Sequence, residues 1–325
     1  MNSSATPSEP AALAEPAAPA AVTATGLARS FGEVCAVGGV DLRIEQGTVV
    51  GLLGPDGAGK STLIRLLATV LSADAGDAEV FGHPVSSQAG RVTPLIGYMP
   101  QRFSMYPDLT VAENLDFFAT IRGVGKPVRQ QRATSLLAGM GLAEFAARQA
   151  QFLSGGMKQK LMLAATLMHE PGLLLLDEPT TGVDPVSRRE FWRILADLHR
   201  AGKTVLVATP YMDEAERCTS VAFMERGRIR HSGTPAQIKA LIPGTLFEIS
   251  STDLRAALAA VGDAPGVTSS HLFGDVVRVL WQGGVEGGGE LRARLAEAAV
   301  PVADVRAAPV DLESAFTFLA EGARS

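Results

Sequence analysis

The tightest constraint on the fold is local. A continuous apolar run from Thr48 to Leu53 ends on Gly54 and is followed by Pro55, Asp56, Gly57, Ala58, Gly59, Lys60, Ser61 and Thr62. Such a run suits a strand buried on both faces, and residues 62 to 70 carry a helical pattern, so the chain must pass from strand to tight turn to helix. Gly54, four residues, then Gly59, Lys60 and Ser61 is the phosphate-loop spacing in the strand-turn-helix context that spacing requires. Gly57 and Gly59 permit backbone geometry closed to residues with a Cβ, turning successive N–H groups toward an anion at a helix N-terminus. Lys60 would place its ammonium on the β and γ phosphates, and the Ser61 hydroxyl would ligate Mg2+. Without its context, the same stretch would be only a Gly-rich turn capping a helix.

A second element agrees. Leu173 to Leu176 is an apolar strand that delivers Asp177 and Glu178 at its C-terminal edge, where ligands bind in open α/β sheets. Asp177 would hold the magnesium through its water shell, and Glu178 would accept a proton from an attacking water. Alone, the pair could equally cap a helix ahead of Pro179. Thr204 to Ala208 is a third buried-strand run, so the core is expected to be an α/β sheet.

Around this core the texture changes. Residues 22 to 44, with Gly32, Gly38 and Gly39, read as short antiparallel strands and turns. Thr110 with Glu113 makes a capping box ahead of Leu115, Phe117 and Phe118, and Pro127 to Met140 is a second helical pattern, so about 101–151 is expected to be helical. Thr234, Pro235 and Gln237 start another helix. Residues 244–325 are expected to form a small α+β accessory unit, and 1–21, almost wholly Ala, Pro, Ser and Glu, a disordered tail. A length of 325 residues, 46% of them hydrophobic, allows about two domains. The formal net charge of −5 disfavours non-specific nucleic-acid binding. The longest stretch free of charge, residues 16–28, has 13 residues and two prolines, short of the roughly 20 a spanning helix needs. No basic residue precedes Arg29, so a targeting peptide is not expected and a cytoplasmic location is. Cys35 and Cys218 are far apart and are expected to be reduced and packed.

Residues 153–160 read Leu-Ser-Gly-Gly-Met-Lys-Gln-Lys, and here the sequence resembles the ATP-binding subunits of ABC transporters over about residues 22–240. As bare residues this is a Ser N-cap with flexible glycines. The resemblance implies that Ser154, Gly155 and Gly156 contact the γ-phosphate held by an opposite subunit, sandwiching ATP between two chains. It likewise implies a P-loop nucleotide-binding domain with an antiparallel β subdomain and a helical subdomain. Gln101, after Gly-Tyr-Met-Pro, matches the family glutamine that ligates Mg2+ and reports nucleotide state to the permease. Asp184, in Thr-Thr-Gly-Val-Asp-Pro, would meet the partner's phosphate loop; without the resemblance it is a helix cap. Phe31 sits where the family stacks an aromatic on adenine, although core packing is open to it as well.

The wording of these motifs, with Met212-Asp213-Glu214-Ala215-Glu216 and a tail ending Asp311-Leu-Glu-Ser-Ala-Phe316, is similar to ATPases of ABC-2-type exporters, including drug-resistance ATPases. The resemblance implies an ATPase subunit that drives export through a separate multispanning permease at the cytoplasmic face of the membrane. Three departures stand out. Asp56 replaces a usual Asn, Lys160 stands where Arg is common, and Pro210 takes the place of the histidine that normally follows this strand. Pairing with a second, non-identical ATPase is therefore expected. The alternatives are a regulatory ATP-binding module with little turnover and a soluble non-transport ABC protein.

Overall fold

The computed structural model describes residues 18–322, so most of the expected tail over 1–21 lies outside the described residues. Strand β1 (Ala20–Phe31) already begins within the stretch assigned to that tail. It pairs antiparallel with β2 (Val34–Glu45). The two strands are long rather than short, and Gly38 and Gly39 lie inside β2 instead of at turns. The register steps from Leu27 opposite Val40 to Ala28 opposite Gly38, leaving Gly39, at φ 78°, as the extra residue of a bulge.

Strand β3 (Val49–Leu53), buried at every residue, leads through residues 54–59 into α1 (Lys60–Leu67). Strands β4 (Ala75–Val80) and β5 (His83–Pro84) complete the first sheet in the order β2-β1-β4-β5. The short α2 (Ala89–Val92) precedes β6 (Ile96–Met99). Then come α3 (Val111–Ile121), α4 (Lys126–Gly139) and α5 (Gly155–Leu167). Among the described residues no strand falls within 101–151, and the Thr110–Glu113 capping box opens α3 as its spacing predicts.

Strand β7 (Leu173–Asp177), α6 (Pro185–Arg200), β8 (Thr204–Ala208), α7 (Met212–Ala215), β9 (Ser220–Glu225), β10 (Arg228–Gly233) and α8 (Pro235–Ala240) follow. The central sheet has the order β10-β9-β3-β8-β7-β6, all neighbours parallel except the β9–β10 hairpin. Successive side chains along its strands serve opposite cores. Leu174, Leu176, Val205 and Val207 join the cluster under α3, α5 and α6, while Leu173, Leu175, Leu206 and Ala208 join the cluster shared with α1 and the first sheet. Because these strands run the same way, Gly54, Asp177, Glu178, Thr209 and Gln101 all emerge at one edge.

The remaining strands β11 (Thr245–Ser251), β12 (Val267–Phe273), β13 (Val276–Trp281) and β14 (Val302–Ala308) form an antiparallel sheet, β12-β13-β11-β14. Helices α9 (Leu254–Gly262) and α10 (Gly287–Glu297) cover it, with Phe247, Val279, Leu291 and Leu295 in its own core. Helix α11 (Leu312–Gly322) packs elsewhere: Leu312, Ala315 and Phe316 belong to the main core, and Phe316 stacks on Phe223 of β9 with centroids 4.4 Å apart. Arg278, buried in β13, holds the start of this helix through Asp311 at 2.9 Å and Ser314 at 2.8 Å.

The cysteines differ from expectation in one respect. Cys218 is buried, and burial pushes its thiol up to about 12, whereas Cys35, the second residue of β2, is exposed.

Candidate nucleotide site

The turn between β3 and α1 is built by glycines that nothing else can replace. A Cβ on Gly54, at φ 148°, would lie 2.0 Å from the Met224 carbonyl oxygen, and one on Gly59, at φ 105°, would lie 2.1 Å from that of Ala36. Gly59 is also the N-cap of α1, and with no side chain it leaves the N–H groups of the first turn uncapped. No acidic residue occupies that turn. The turn therefore carries unspent positive potential, the requirement for holding an anion.

Phe31, Asp56, Gly57, Ala58, Gly59, Lys60, Ser61, Thr62, Gln101 and Glu178 line one cleft of about 420 Å³ over this turn. Gly54 and Pro55 are not among its lining residues, but their carbonyl oxygens accept from the buried Lys60 Nζ at 2.7 and 3.0 Å. Two of the three ammonium protons are thus held by the loop, which leaves the third for a ligand oxygen. Asp56 is exposed at the rim. Phe31 is 46% exposed, which excludes the core-packing alternative, and the Arg29 guanidinium lies 5.1 Å from its ring centroid.

The acidic pair lies behind the loop. Asp177 is fully buried and its Oδ1 accepts from Ser61 Oγ at 2.8 Å, while its Oδ2 is buried without a hydrogen-bond partner. Burial raises the Asp177 pKa against the opposing effects of the Ser61 hydroxyl and Arg65. An orphaned buried carboxylate oxygen beside a hydroxyl is an oxygen-only donor set of the kind a hard divalent cation takes, so these residues fit Mg2+. Glu178 is almost buried and has φ 48°, a left-handed conformation costly for a residue with a Cβ. Its Oε2 accepts from Gln101 Nε2 at 2.8 Å and from Thr181 Oγ1 at 3.1 Å. Gln101 thereby commits its amide nitrogen to Glu178 and keeps its carbonyl oxygen for a cation.

Ser154, Gly155, Gly156 and Asp184 are not brought into this cleft. Ser154 caps α5, accepting from Met157 N at 3.3 Å. Asp184 caps α6, accepting from Ser187 N and Val186 N, each at 3.0 Å, and these bonds hold its carboxyl below the usual range. Both caps and Gly155 are exposed, whereas Gly156 is buried where a Cβ would meet Ser187 Oγ at 2.4 Å. None of the five histidines lines the cleft.

The family profile described as "ABC transporter" matches residues 37–181. The chain is 42% identical over 265 residues to the probable multidrug ABC transporter ATP-binding protein YbhF of Escherichia coli (strain K12), covering 80% of this chain and 46% of that one. It thus spans about half that relative's length. It is 39% identical over 241 residues to the daunorubicin/doxorubicin resistance ATP-binding protein DrrA of Streptomyces peucetius, covering 74% of this chain and 73% of that one. The chain belongs to the ATP-binding proteins of ABC transporters. A dimeric structure of a post-hydrolysis state of the ATP-binding cassette MJ0796, bound to ADP and Pi, shares the cassette fold with a TM-score of 0.60 at 26% identity, over 66% of this chain and 98% of that one. ATP and Mg2+ are the ligands of the ABC cassette.

Sequence reasoning did not pick out two contacts in this ABC site. Thr181, whose hydroxyl steadies Glu178, sits in a motif noticed only for Asp184, and Arg65, one turn into α1, carries no motif signal.

Proposed function

We propose that this chain is the subunit that couples ATP binding and hydrolysis to export through a separate ABC-2-type permease at the cytoplasmic face of the membrane, pairing there with a second, non-identical ATPase. The observation that carries this reading is the division of the site. Residues 56–62 of the phosphate loop, Gln101 and Glu178 line one cleft, with Asp177 joined to it through Ser61, whereas Ser154, Gly155 and Asp184 lie outside it at exposed helix starts beside the buried Gly156. A second chain facing the cleft would supply those missing parts, and this chain's helix starts would serve the partner's cleft. The relatives named for multidrug and anthracycline resistance support export.

In this reading Phe31 stacks on adenine, the uncapped N–H groups of α1 and Lys60 hold the phosphates, and Ser61, Gln101 and Asp177 hold Mg2+. Bound Mg2+ supplies charge neutralisation on the phosphate oxygens. Glu178 takes the proton of the attacking water as that oxygen bonds to the γ-phosphorus and the bond to the bridging oxygen breaks, leaving ADP and phosphate. Pro210 offers neither a side-chain donor nor a backbone N–H, so the γ-phosphate lacks one contact on this side and turnover here is slow. That deficit is what favours a non-identical partner. We assign residues 22–243 to the cassette and 244–325 to an accessory unit.

The permease surface is the groove between α3, α4 and the loop after α2, lined by Phe118, Ile121, Arg122, Val124 and Val128, with Ile121 64% exposed. The neighbouring Phe103 is half-buried against the main core under Lys158, whose Nζ lies 5.5 Å from its ring centroid, and Tyr106 is exposed. The test is transport of a labelled anthracycline into inverted vesicles holding the permease and both ATPases. Uptake should need ATP, stop with Lys60→Ala and fall with Ile121→Asp. Uptake indifferent to both substitutions would contradict the reading.

A further inference from the structure

A carboxylate outside the cleft is tied to both of its working edges. Glu214, on α7, is 1% exposed, and a buried carboxylate persists only where donors compensate its lost hydration. Thr180 Oγ1 donates to its Oε1 at 2.7 Å, Thr209 Oγ1 donates to its Oε2 at 2.5 Å, and Arg188 Nε of α6 lies 3.4 Å from Oε1. Both threonines are themselves buried. None of these four side chains lines the nucleotide cleft.

Each donor belongs to a segment that matters for the cleft. Thr180 follows Glu178 by two residues, in the turn whose Thr181 also holds the Glu178 carboxylate. Thr209 begins the turn through Pro210: its hydroxyl accepts from Tyr211 N at 3.1 Å, and its own N–H donates to Leu52 O of β3, just ahead of the phosphate loop, at 3.2 Å. Arg188 also pairs with Asp213 at 2.7 Å, and its guanidinium covers the Tyr211 ring at 4.3 Å. One carboxylate thus fixes the ends of β7 and β8 and the first turns of α6 and α7 against one another. A left-handed Glu178 needs surroundings that over-determine its backbone, and this network supplies them.

We propose that Glu214, with Thr180 and Thr209, is a positioning group for hydrolysis that holds the Glu178 segment in register with the 209–211 turn. The inference rests on the reading that this cleft hydrolyses ATP. It concerns the rate of the chemical step and not nucleotide affinity, because none of the three side chains lines the nucleotide cleft. Replacing Thr209 by valine keeps the shape and removes the hydroxyl, whereas serine keeps the hydroxyl.

Single-turnover hydrolysis of Mg-ATP by the full chain in excess over ATP, with the second ATPase present and affinity measured separately, tests it. Thr209→Val and Thr180→Val should each slow the chemical step at least about 10-fold while changing the ATP dissociation constant less than about 2-fold, and Thr209→Ser should restore most of the rate. Glu214→Gln should slow it further, and circular dichroism with melting would identify a variant that fails to fold. Folded valine variants that hydrolyse at the wild-type rate would overturn this inference and leave the ATPase reading intact. Rate and affinity lost in parallel, with no rescue by serine, would overturn it in favour of general loosening. With the second ATPase present, a wild-type chain that binds Mg-ATP with no turnover that Glu178→Gln removes would overturn both.

Discussion

Two helix starts in this molecule look alike in sequence and differ in what they leave unfinished. Helix α1 opens on Gly59 with no side-chain cap, faces a lysine with one free proton, and lies above a carboxylate with one unpaired buried oxygen. Helix α5 opens on Ser154, whose hydroxyl already accepts from Met157 N, and its start is exposed. The first is a site paid for in advance, with polar groups held out of water until a ligand arrives. The second is complete without a ligand, so an anion there must displace a cap, which a second chain closing over it could do. The same glycine-rich composition therefore marks a preformed cleft in one place and, in the proposed reading, half of a shared one in the other.

Substitutions at the two helix starts should separate these roles. The largest effect belongs to Lys60→Ala, which removes a charge-assisted phosphate contact and should weaken ATP binding by roughly 10- to 100-fold with no matching loss at Ser154→Ala, as measured by titration calorimetry. Next, Gly156→Ala should destabilise the fold by about 1–3 kcal/mol, because its Cβ would overlap Ser187 Oγ at 2.4 Å, while Gly155→Ala, with nothing nearer than 3.9 Å, should fold normally. Equal melting temperatures for the two glycine variants would remove the distinction between a packing glycine and a ligand glycine. Ser154→Ala should cost about 1 kcal/mol in denaturant unfolding, the price of a lost N-cap, and should slow hydrolysis by the partner more than by this chain.

The smallest effect is on pH dependence. Burial raises the Asp177 pKa, so the native chain holds that proton more tightly than the unfolded chain does. The stability it contributes is complete below the ordinary aspartate value and is lost as pH rises through the folded value. Metal-free wild type should therefore lose stability relative to Asp177→Asn as pH climbs from the ordinary aspartate range toward neutrality, and Mg2+ should reverse the order. A pH-independent difference in melting temperature would show that Asp177 is not a strained, cation-awaiting carboxylate.

The phosphate loop, the paired carboxylates and the central strands were legible because each rests on a local pattern: an apolar run, a fixed spacing and a helix start. The capping boxes at Thr110 and Thr234 were legible for the same reason, and both are present. Contacts that join segments distant in the chain were not. Gly39 was assigned to a turn because a bulge depends on which residues of the partner strand it faces. The half-burial of Phe103 carries no local signal, because its cover, Lys158, lies 55 residues on. Glu214 carried no signal beyond a run of family-like residues, since its partners Thr180 and Arg188 meet it only through tertiary packing.

In the proposed reading this chain binds Mg-ATP through its own phosphate loop but turns it over slowly because Pro210 supplies no contact to the γ-phosphate. The direct measurement is the hydrolysis rate of the purified chain at saturating Mg-ATP, wild type beside Pro210→His. One preorganised transition-state donor is worth roughly 100- to 1000-fold in other enzymes, so the histidine variant should turn over at least about 10-fold faster at unchanged affinity. Rapid hydrolysis by the wild type, abolished by Glu178→Gln and not increased by Pro210→His, would contradict the account and point to a homodimer with two competent sites.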